Sequence, residues 1–313
     1  MKFLVILVAI ASGIVILLEV ALRRFFGFGT PLLYIADDDV GYLLSPNQHT
    51  RRFGNYIAIN SHSMRSPEIS RDRPDSTLRI LLLGDSIANG GWWTDQSQTI
   101  SALMATQLRQ ELPEMSFAEV EVLNASANSW GPRNELAYLQ KFGCFQAHTI
   151  VLLINTDDLF AIAPNSIQVG RDRNYPNQTP PFALAEVYGR YLAKTKPIPE
   201  LQALQDERGD RVGFNLEAIR RIQGIAHDSH GQLLLAMTPL KREIGNPGPR
   251  DYELKARQRL AELTHDYQIP YIDALDLLNA HPHPESLYWD HIHLNSDGNR
   301  WLSEILVRRL RQL

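Results

Sequence analysis

A parallel sheet covered by helices on both faces, behind one N-terminal membrane helix, is the α/β architecture this sequence predicts. Three observations carry that expectation. Residues 3–22 are almost entirely apolar, interrupted only by Ser12, Gly13 and Glu19. From residue 78 onward, short apolar runs alternate with longer stretches of helix formers. The first of these runs, Leu78-Arg79-Ile80-Leu81-Leu82-Leu83, stops abruptly at Gly84-Asp85-Ser86. Such a run suits a strand buried on both sides of a parallel sheet, and the alternation implies helices wrapped around it.

The elements are taken in chain order. Twenty helical residues span roughly 30 Å, about the thickness of a bilayer core. The run at 3–22 is longer than the apolar part of a signal peptide and ends in Glu19 and Arg23-Arg24, which favours an uncleaved anchor. Its flanking charges, Lys2 on one side and the two arginines on the other, do not select an orientation. Residues 25–76 read as extended pieces and turns ending in a polar linker, an irregular extension expected to pack on the α/β unit C-terminal to it. Strands are then expected at 78–83, 119–123, 148–154, 233–237 and 269–272. Helices are expected at 98–111, 132–141, 215–226, 251–266 and 296–313. The segment 160–210 breaks this rhythm with proline, asparagine and charge, and holds one helical patch near 184–193. It reads as an insertion over the site, since long loops in compact domains usually carry function or disorder. The domains are thus an anchor at 3–22, an extension at 25–76 and an α/β unit at 77–313.

Composition narrows the function. Apolar residues make up 44% of the 313, enough for a sizeable core, and the formal charge of −4 suggests no broad nucleic-acid-binding surface. Cys144 is the only cysteine, which excludes an intrachain disulfide and any multi-cysteine metal site.

The chemistry concentrates at two places. Ligands in open α/β sheets sit at the carboxyl ends of the strands, so Ser86 is a candidate nucleophile. A serine hydroxyl needs a base to take its proton and a third group to hold that base. Asp290-His291-Ile292-His293 lies just before the closing helix and supplies both, with His293 as base and Asp290 as its orienter. Spacing alone does not separate His293 from His291. The order Ser, Asp, His without Gly-x-Ser-x-Gly argues against the ordinary α/β-hydrolase elbow.

With these residues in place, the stretch from about residue 78 to the C-terminus resembles the SGNH, or GDSL, esterases and acyltransferases. Gly84-Asp85-Ser86 matches the first block of that family. Asn124-Ala125-Ser126-Ala127-Asn128-Ser129 is similar to the second, with Ser129 at the oxyanion-hole glycine. Asn155-Thr156-Asp157-Asp158 matches the third, and Asp290-x-x-His293 the fifth. The resemblance implies a three-layer α/β/α fold with a parallel flavodoxin-like sheet ordered 2-1-3-4-5. It also implies a catalytic set of Ser86, Asp290 and His293 that needs no cofactor, and it selects His293 over His291. The oxyanion hole it implies comes from Ser86, Ser129 and the third block. There the family's asparagine falls on Asp157, whose ionised form would repel an oxyanion. Either Asp157 is neutral, or Asn155 substitutes, or hydrolysis is impaired.

Gly41-Tyr42-x-x-x-Pro46-Asn47 and Asn60-Ser61-x-x-Met64-Arg65 resemble the corresponding stretches of membrane-anchored bacterial SGNH proteins. Some of those are encoded with polysaccharide-assembly machinery or related to alginate-type O-acetylation. The resemblance implies a single-pass protein of the cytoplasmic membrane with its catalytic domain on the extracytoplasmic side. The expected activity is hydrolysis or transfer of acyl groups, acetyl foremost, on a glycan through an acyl-Ser86 intermediate. Expected partners are an acylated glycan, the membrane and proteins of polysaccharide assembly or acyl transfer, with no nucleic acid. The competing reading is a catalytically weak domain that binds glycan or scaffolds such an assembly.

Blander readings stand beside these. Ser86 is a turn residue in many Gly-Asp-Ser stretches. His281, His283, Asp290, His291 and His293 have the chemistry of zinc ligands, but no helical His-x-x-x-His spacing. Trp92, Trp93 and Trp130 suit stacking on a sugar ring, and core packing equally. Arg308, Arg309 and Arg311 suit charges at a helix end, and Arg171 and Arg173 a solvated loop.

Overall fold

The computed structural model describes residues 1–111 and 116–313. The chain opens with α1 (Lys2–Ala21), none of whose residues is buried, and continues through a wider turn at Leu22–Phe26. This helix is long and apolar enough to cross a membrane, a test that an N-terminal signal sequence also passes.

Two antiparallel hairpins take the place of the irregular extension expected at 25–76. Strands β1 (Tyr34–Asp37) and β2 (Gly41–Leu44) form one, and β3 (Gln48–Arg52) and β4 (Asn55–Ile59) the other. The second closes through Phe53 and Gly54, with φ of 48° and 89°. Positive φ at both central residues matches the twist of the flanking strands, and glycine adopts it without steric cost. Tyr42, Leu43, Leu44, Ile57 and Ile59 join the core that lies under the main sheet.

That sheet is parallel throughout. Its strands are β5 (Thr77–Gly84), β6 (Glu119–Ser126), β7 (Thr149–Asn155), β8 (Gln232–Thr238) and β9 (Tyr271–Asp273). They lie in the order β6-β5-β7-β8-β9, the 2-1-3-4-5 arrangement expected. Alternation along β5 explains why its sequence is apolar on both sides. Leu81 and Leu83 enter one core with residues 132–142, 211–228 and 251–266, while Ile80 and Leu82 enter the other with residues 100–110 and 296–310. Gly84 is the last residue of the strand, and a side chain does not fit there: a Cβ would lie 2.4 Å from the carbonyl oxygen of Leu153 on β7.

The helices are α2 (Ser86–Asn89), α3 (Ile100–Gln110), α4 (Pro132–Phe142), α5 (Ala183–Val187), α6 (Pro199–Gln205), α7 (Arg211–Asp228), α8 (Asp251–Asp266), α9 (Ala274–Asn279) and α10 (Ser296–Leu310). Several bounds differ from expectation. Strand β6 runs three residues further, to Ser126; α7 starts four residues earlier; α10 stops at Leu310; and β9 starts two residues later and ends one later than expected. Helices α2, α6 and α9 were not expected. The segment 160–210 is ordered by α5, α6 and the turn at Tyr188–Leu192.

Candidate active site

Ser86 stands where β5 gives way to α2. Asp85 caps that helix, its Oδ1 accepting from the Ile87 amide at 2.8 Å. Ser86 is therefore the first helical residue, and its own N–H has no acceptor within the helix. His293 arrives from the other end of the chain. Asn295, two residues beyond the histidine, accepts from the amides of Asp297 and Gly298, both at 3.0 Å, and so fixes the start of α10. The Trp289 amide donates to the His293 carbonyl at 2.8 Å and closes the loop.

The geometry joins all three residues. His293 Nε2 lies 2.9 Å from Ser86 Oγ, and His293 Nδ1 lies 2.8 Å from Asp290 Oδ2. Asp290 Oδ1 accepts from the amides of Ile292 and His293 at 2.9 and 2.8 Å. Partial burial pushes the Asp290 carboxyl up, but these hydrogen bonds outweigh it and hold the group below its ordinary value. The arrangement suits a base whose tautomer is set by a carboxylate. His291 borders the same cavity as Ser86, but its side chain is 83% exposed against 17% for His293, and its Nδ1 lies 3.9 Å from Asp290 Oδ1.

Behind the serine is a buried acid cluster that the sequence reading missed. Asp85, Glu135 and Asp158 are all buried. Burial raises the Asp85 carboxyl, although it accepts from Ile87, from the Asn155 amide at 2.8 Å and from Ser86 Oγ at 3.3 Å. Asp158 is raised well above its ordinary value by burial and then by Asp85 and Glu135. Glu135 is raised likewise, and among the described residues neither of its oxygens has a hydrogen-bond partner. Ser86 Oγ thus has two acceptors within reach, His293 and Asp85. Asp85 was legible as part of Gly-Asp-Ser; nothing in the sequence around Glu135 points to the site.

For the third block, the Asn155 side-chain amide donates to Asp85 and to Asp158 at 2.8 and 2.9 Å, so both its protons are committed. Its Oδ1 accepts from the Asp157 amide at 2.7 Å. The Asp157 side chain is exposed and lines a cavity with Ser86 and Ser129. Its carboxyl is shifted upward, by lost hydration first, while Arg242 pulls the other way. Because the residue is exposed, that upward push is smaller than the one on Asp158. Ser129 has a φ of 59°, so it keeps the left-handed backbone that a glycine ordinarily supplies.

Ser86 borders two cavities. The first, about 390 Å³, is lined by Trp92, Trp93, Tyr34, Arg52, Arg190 and His293 among others. The second, about 380 Å³, is the acidic one containing Asp157 and Asp158. Trp93 packs on the His293 ring with centroids 4.5 Å apart. Trp92 is partly exposed beside it. Trp130 is not available to a ligand: it is 1% exposed, and its Nε1 donates to the Tyr42 carbonyl at 3.1 Å. It is core, which corrects the sugar-stacking expectation. The loop carrying Trp92 and Trp93 is held by buried Arg65, which donates to the carbonyls of Asn89, Gly91 and Thr94 at 2.5–2.6 Å. Among the described residues no three His, Cys, Asp or Glu side chains converge as a metal would require; His281 instead faces Trp301.

The roof of the first cavity joins two regions far apart in sequence. Glu186, in the insertion, is paired with Arg52 of β3 and with Arg190 at 2.9 Å, and accepts from the Gly29 amide at 2.7 Å. Tyr175 reaches back to Ser129 Oγ at 2.9 Å. None of this was signalled by local sequence.

Comparison with known proteins bears on the family and the fold. The sequence model of the GDSL-like Lipase/Acylhydrolase family matches residues 82–301. No curated protein matches the chain. Among solved structures, an acetyl xylan esterase shares the fold with a TM-score of 0.50 at 13% identity, covering 73% of this chain and 97% of its own. An acetylxylan esterase from Geobacillus stearothermophilus gives 0.48 at 14%, covering 74% and 93%. A lipase/acylhydrolase from Enterococcus faecalis gives 0.44 at 16%, covering 75% and 95%.

Proposed function

The chain belongs to the GDSL-like lipase/acylhydrolase family, and from that premise we propose that it is a membrane-anchored enzyme acting on acyl esters of a glycan through an acyl-Ser86 intermediate. Membership places it among acyl-ester hydrolases; the anchor, the glycan and the residue roles are the proposal. The observation that carries it is the Ser86–His293–Asp290 chain of contacts at 2.9 and 2.8 Å.

In this reading His293 Nε2 takes the proton of Ser86 Oγ as the oxygen attacks the ester carbonyl. Asp290 holds the imidazole and stabilises its charged form. The amides of Ser86 and Ser129 donate to the oxyanion, the first from the open end of α2. His293 then returns the proton to the leaving alcohol. The acyl group leaves Ser86 by attack of water, or of a sugar hydroxyl in the transferase variant, with His293 taking the proton of the attacking oxygen and returning it to Ser86 Oγ as the acyl–oxygen bond breaks. An acetyl group on a glycan is the first substrate to test, since a protein of the same fold is an acetyl xylan esterase. The division into anchor 3–22, extension 25–76 and catalytic unit 77–313 belongs to this proposal, as does an extracytoplasmic position.

A fluorophosphonate probe tests it. Labelling that disappears in Ser86→Ala, with release of acetate from an acetylated oligosaccharide by the unmodified protein, is the expected result. Absence of labelling together with retained glycan binding would replace the enzyme by a binding module.

A further inference from the structure

Around the base of α1 lies an apolar surface that the chemistry at Ser86 does not use. Phe25 is 69% exposed just past the helix, and Phe53 is exposed at the tip of the β3–β4 hairpin. From the insertion project Phe182 and Tyr188, each 61% exposed, and Leu192, 72% exposed.

These side chains share one place in the fold. Glu19, in the last turn of α1, accepts from the amides of Ala183 and Leu184 at 2.8 and 3.0 Å, so α5 begins against that turn. Phe26 meets Phe53 edge-on with centroids 5.9 Å apart, and Phe28 meets Tyr191 at 6.1 Å. The exposed aromatics therefore form a collar at the level where the apolar helix meets the polar chain.

Contiguous apolar surface marks an interaction site, and α1 indicates what covers this one. Twenty residues with none buried are about the length of a bilayer core, and they run directly into the collar. A water-soluble partner seated on the collar would leave the adjoining helix bare, whereas a bilayer covers both. Aromatic side chains concentrate at the membrane–water boundary, and Arg23 and Arg24 have stems long enough to keep their charges in water there.

We propose that the collar seats the domain on the bilayer surface and holds the Ser86 cavity at the lipid–water boundary, so that the acyl ester is taken from an amphiphile displayed there. This rests on the reading of α1 as a membrane span. The segments that carry the collar also wall the cavity. Thr30 and Pro31 follow Phe25–Phe28, Arg52 precedes Phe53, and Arg190 lies between Tyr188 and Leu192. Aromatic contacts continue inward from Phe53 to Trp92 at 5.1 Å, to Trp93 at 5.7 Å and to His293 at 4.5 Å.

The test uses the full chain in phosphatidylcholine–phosphatidylglycerol nanodiscs, with Cys144→Ser and single cysteines carrying an environment-sensitive fluorophore. Tyr188→Cys and Leu192→Cys report the collar. Val8→Cys reports α1, and His227→Cys reports the opposite edge of the sheet, where that side chain is 85% exposed. Lipids with a nitroxide near the headgroup should quench the collar probes several-fold more than the probe at 227. Unquenched, water-like emission at 188 and 192 with the probe at 8 in lipid overturns the seat and leaves the span. Water-like emission at all four overturns both. In a second measurement, Tyr188→Ser with Leu192→Ser should lower turnover of a long-chain ester carried in vesicles about tenfold and leave a short soluble ester unchanged. Equal turnover of the vesicle ester by both proteins would also overturn it.

Discussion

The floor and the roof of the Ser86 site are built by different rules. The floor is the carboxyl edge of the parallel sheet, where Ser86 follows β5 directly and His293 lies three residues from Asp290 and two from the cap of α10. Its contacts are local, or are made by strand ends that the sheet must bring together. The roof is made of the β-hairpins and the insertion, tied by Arg52 to Glu186 across 134 positions and by Tyr175 to Ser129 across 46. A floor of this kind can keep its chemistry while its roof changes. In the proposed reading, reaction type is thus set below Ser86, and access and substrate choice above it.

The largest expected effect breaks the floor alone. His293→Ala should reduce ester turnover by roughly three or more powers of ten with an unchanged melting temperature. His291→Ala, with its exposed ring, should cost less than about tenfold. Steady-state kinetics on a short acyl ester checks both, and the reverse ranking would show that the base is misassigned.

The next effect breaks the roof. Burial raises the Glu186 carboxyl, but Arg52, the Gly29 amide and Arg190 overcome this and hold it below its ordinary value. A depressed carboxyl contributes stability above the unfolded-state value and loses it as pH falls through the folded one. The Glu186 contribution is thus present at neutral pH and disappears on acidification below the ordinary glutamate range. Glu186→Gln should destabilise the protein by about 3 kcal/mol at neutral pH, as when one partner of a buried pair is removed, and by less in acid. KM for a bulky ester should rise more than kcat falls. Denaturant melts across pH and kinetics on bulky and short esters read the two effects separately.

Beneath both lies Glu135, buried with no hydrogen-bond partner among the described residues. Its carboxyl is raised by burial and by Asp85. The sign is opposite to that of Glu186: the contribution is full below the unfolded glutamate value and is lost as pH rises toward the folded one. Glu135→Gln should therefore match the parent near about pH 4 and be more stable from about pH 7 upward. Thermal melts over that range check it, and a parallel fall in both proteins would remove Glu135 as the cause.

How much of the molecule was legible in its sequence divides along the same line. The strand of the floor was legible because a doubly buried strand is apolar at every face, whereas the family resemblance, and not spacing, selects His293 over His291. The roof was not read. Its four- and five-residue strands include Arg51, Arg52 and Asn55, its turn is Phe53-Gly54 in place of an Asn-Gly pair, and its ion pairs span the chain. Trp130 illustrates the limit: an indole after the second block looks the same in sequence whether it faces a ligand or the Tyr42 carbonyl. Glu135 illustrates it further, since a glutamate in the first turn of α4 ordinarily complements the helix dipole at the surface.

The smallest expected effect sharpens the boundary between floor and roof, at Asp157. Sequence offered two ways to keep a third oxyanion donor, a neutral Asp157 or a substitute in Asn155. The Asn155 amide is occupied by Asp85 and Asp158, which leaves Asp157 or backbone amides alone. The strongly raised carboxyl of this block is Asp158, and it belongs to the buried cluster. Asp157 is exposed and shifted upward more weakly, with Arg242 opposing the shift, so once ionised it carries charge into the second cavity. Asp157→Asn removes that charge and adds a neutral donor. Turnover should rise by about tenfold or less, below the full value of an oxyanion donor, and the gain should grow as pH rises through the titration of the parent carboxylate. Asn155→Ala, by contrast, frees two buried carboxyls and should lower stability as well as turnover. If Asp157→Asn instead lost activity without unfolding, the carboxylate would have a positive role, and the oxyanion would have to be held by the amides of Ser86 and Ser129 alone.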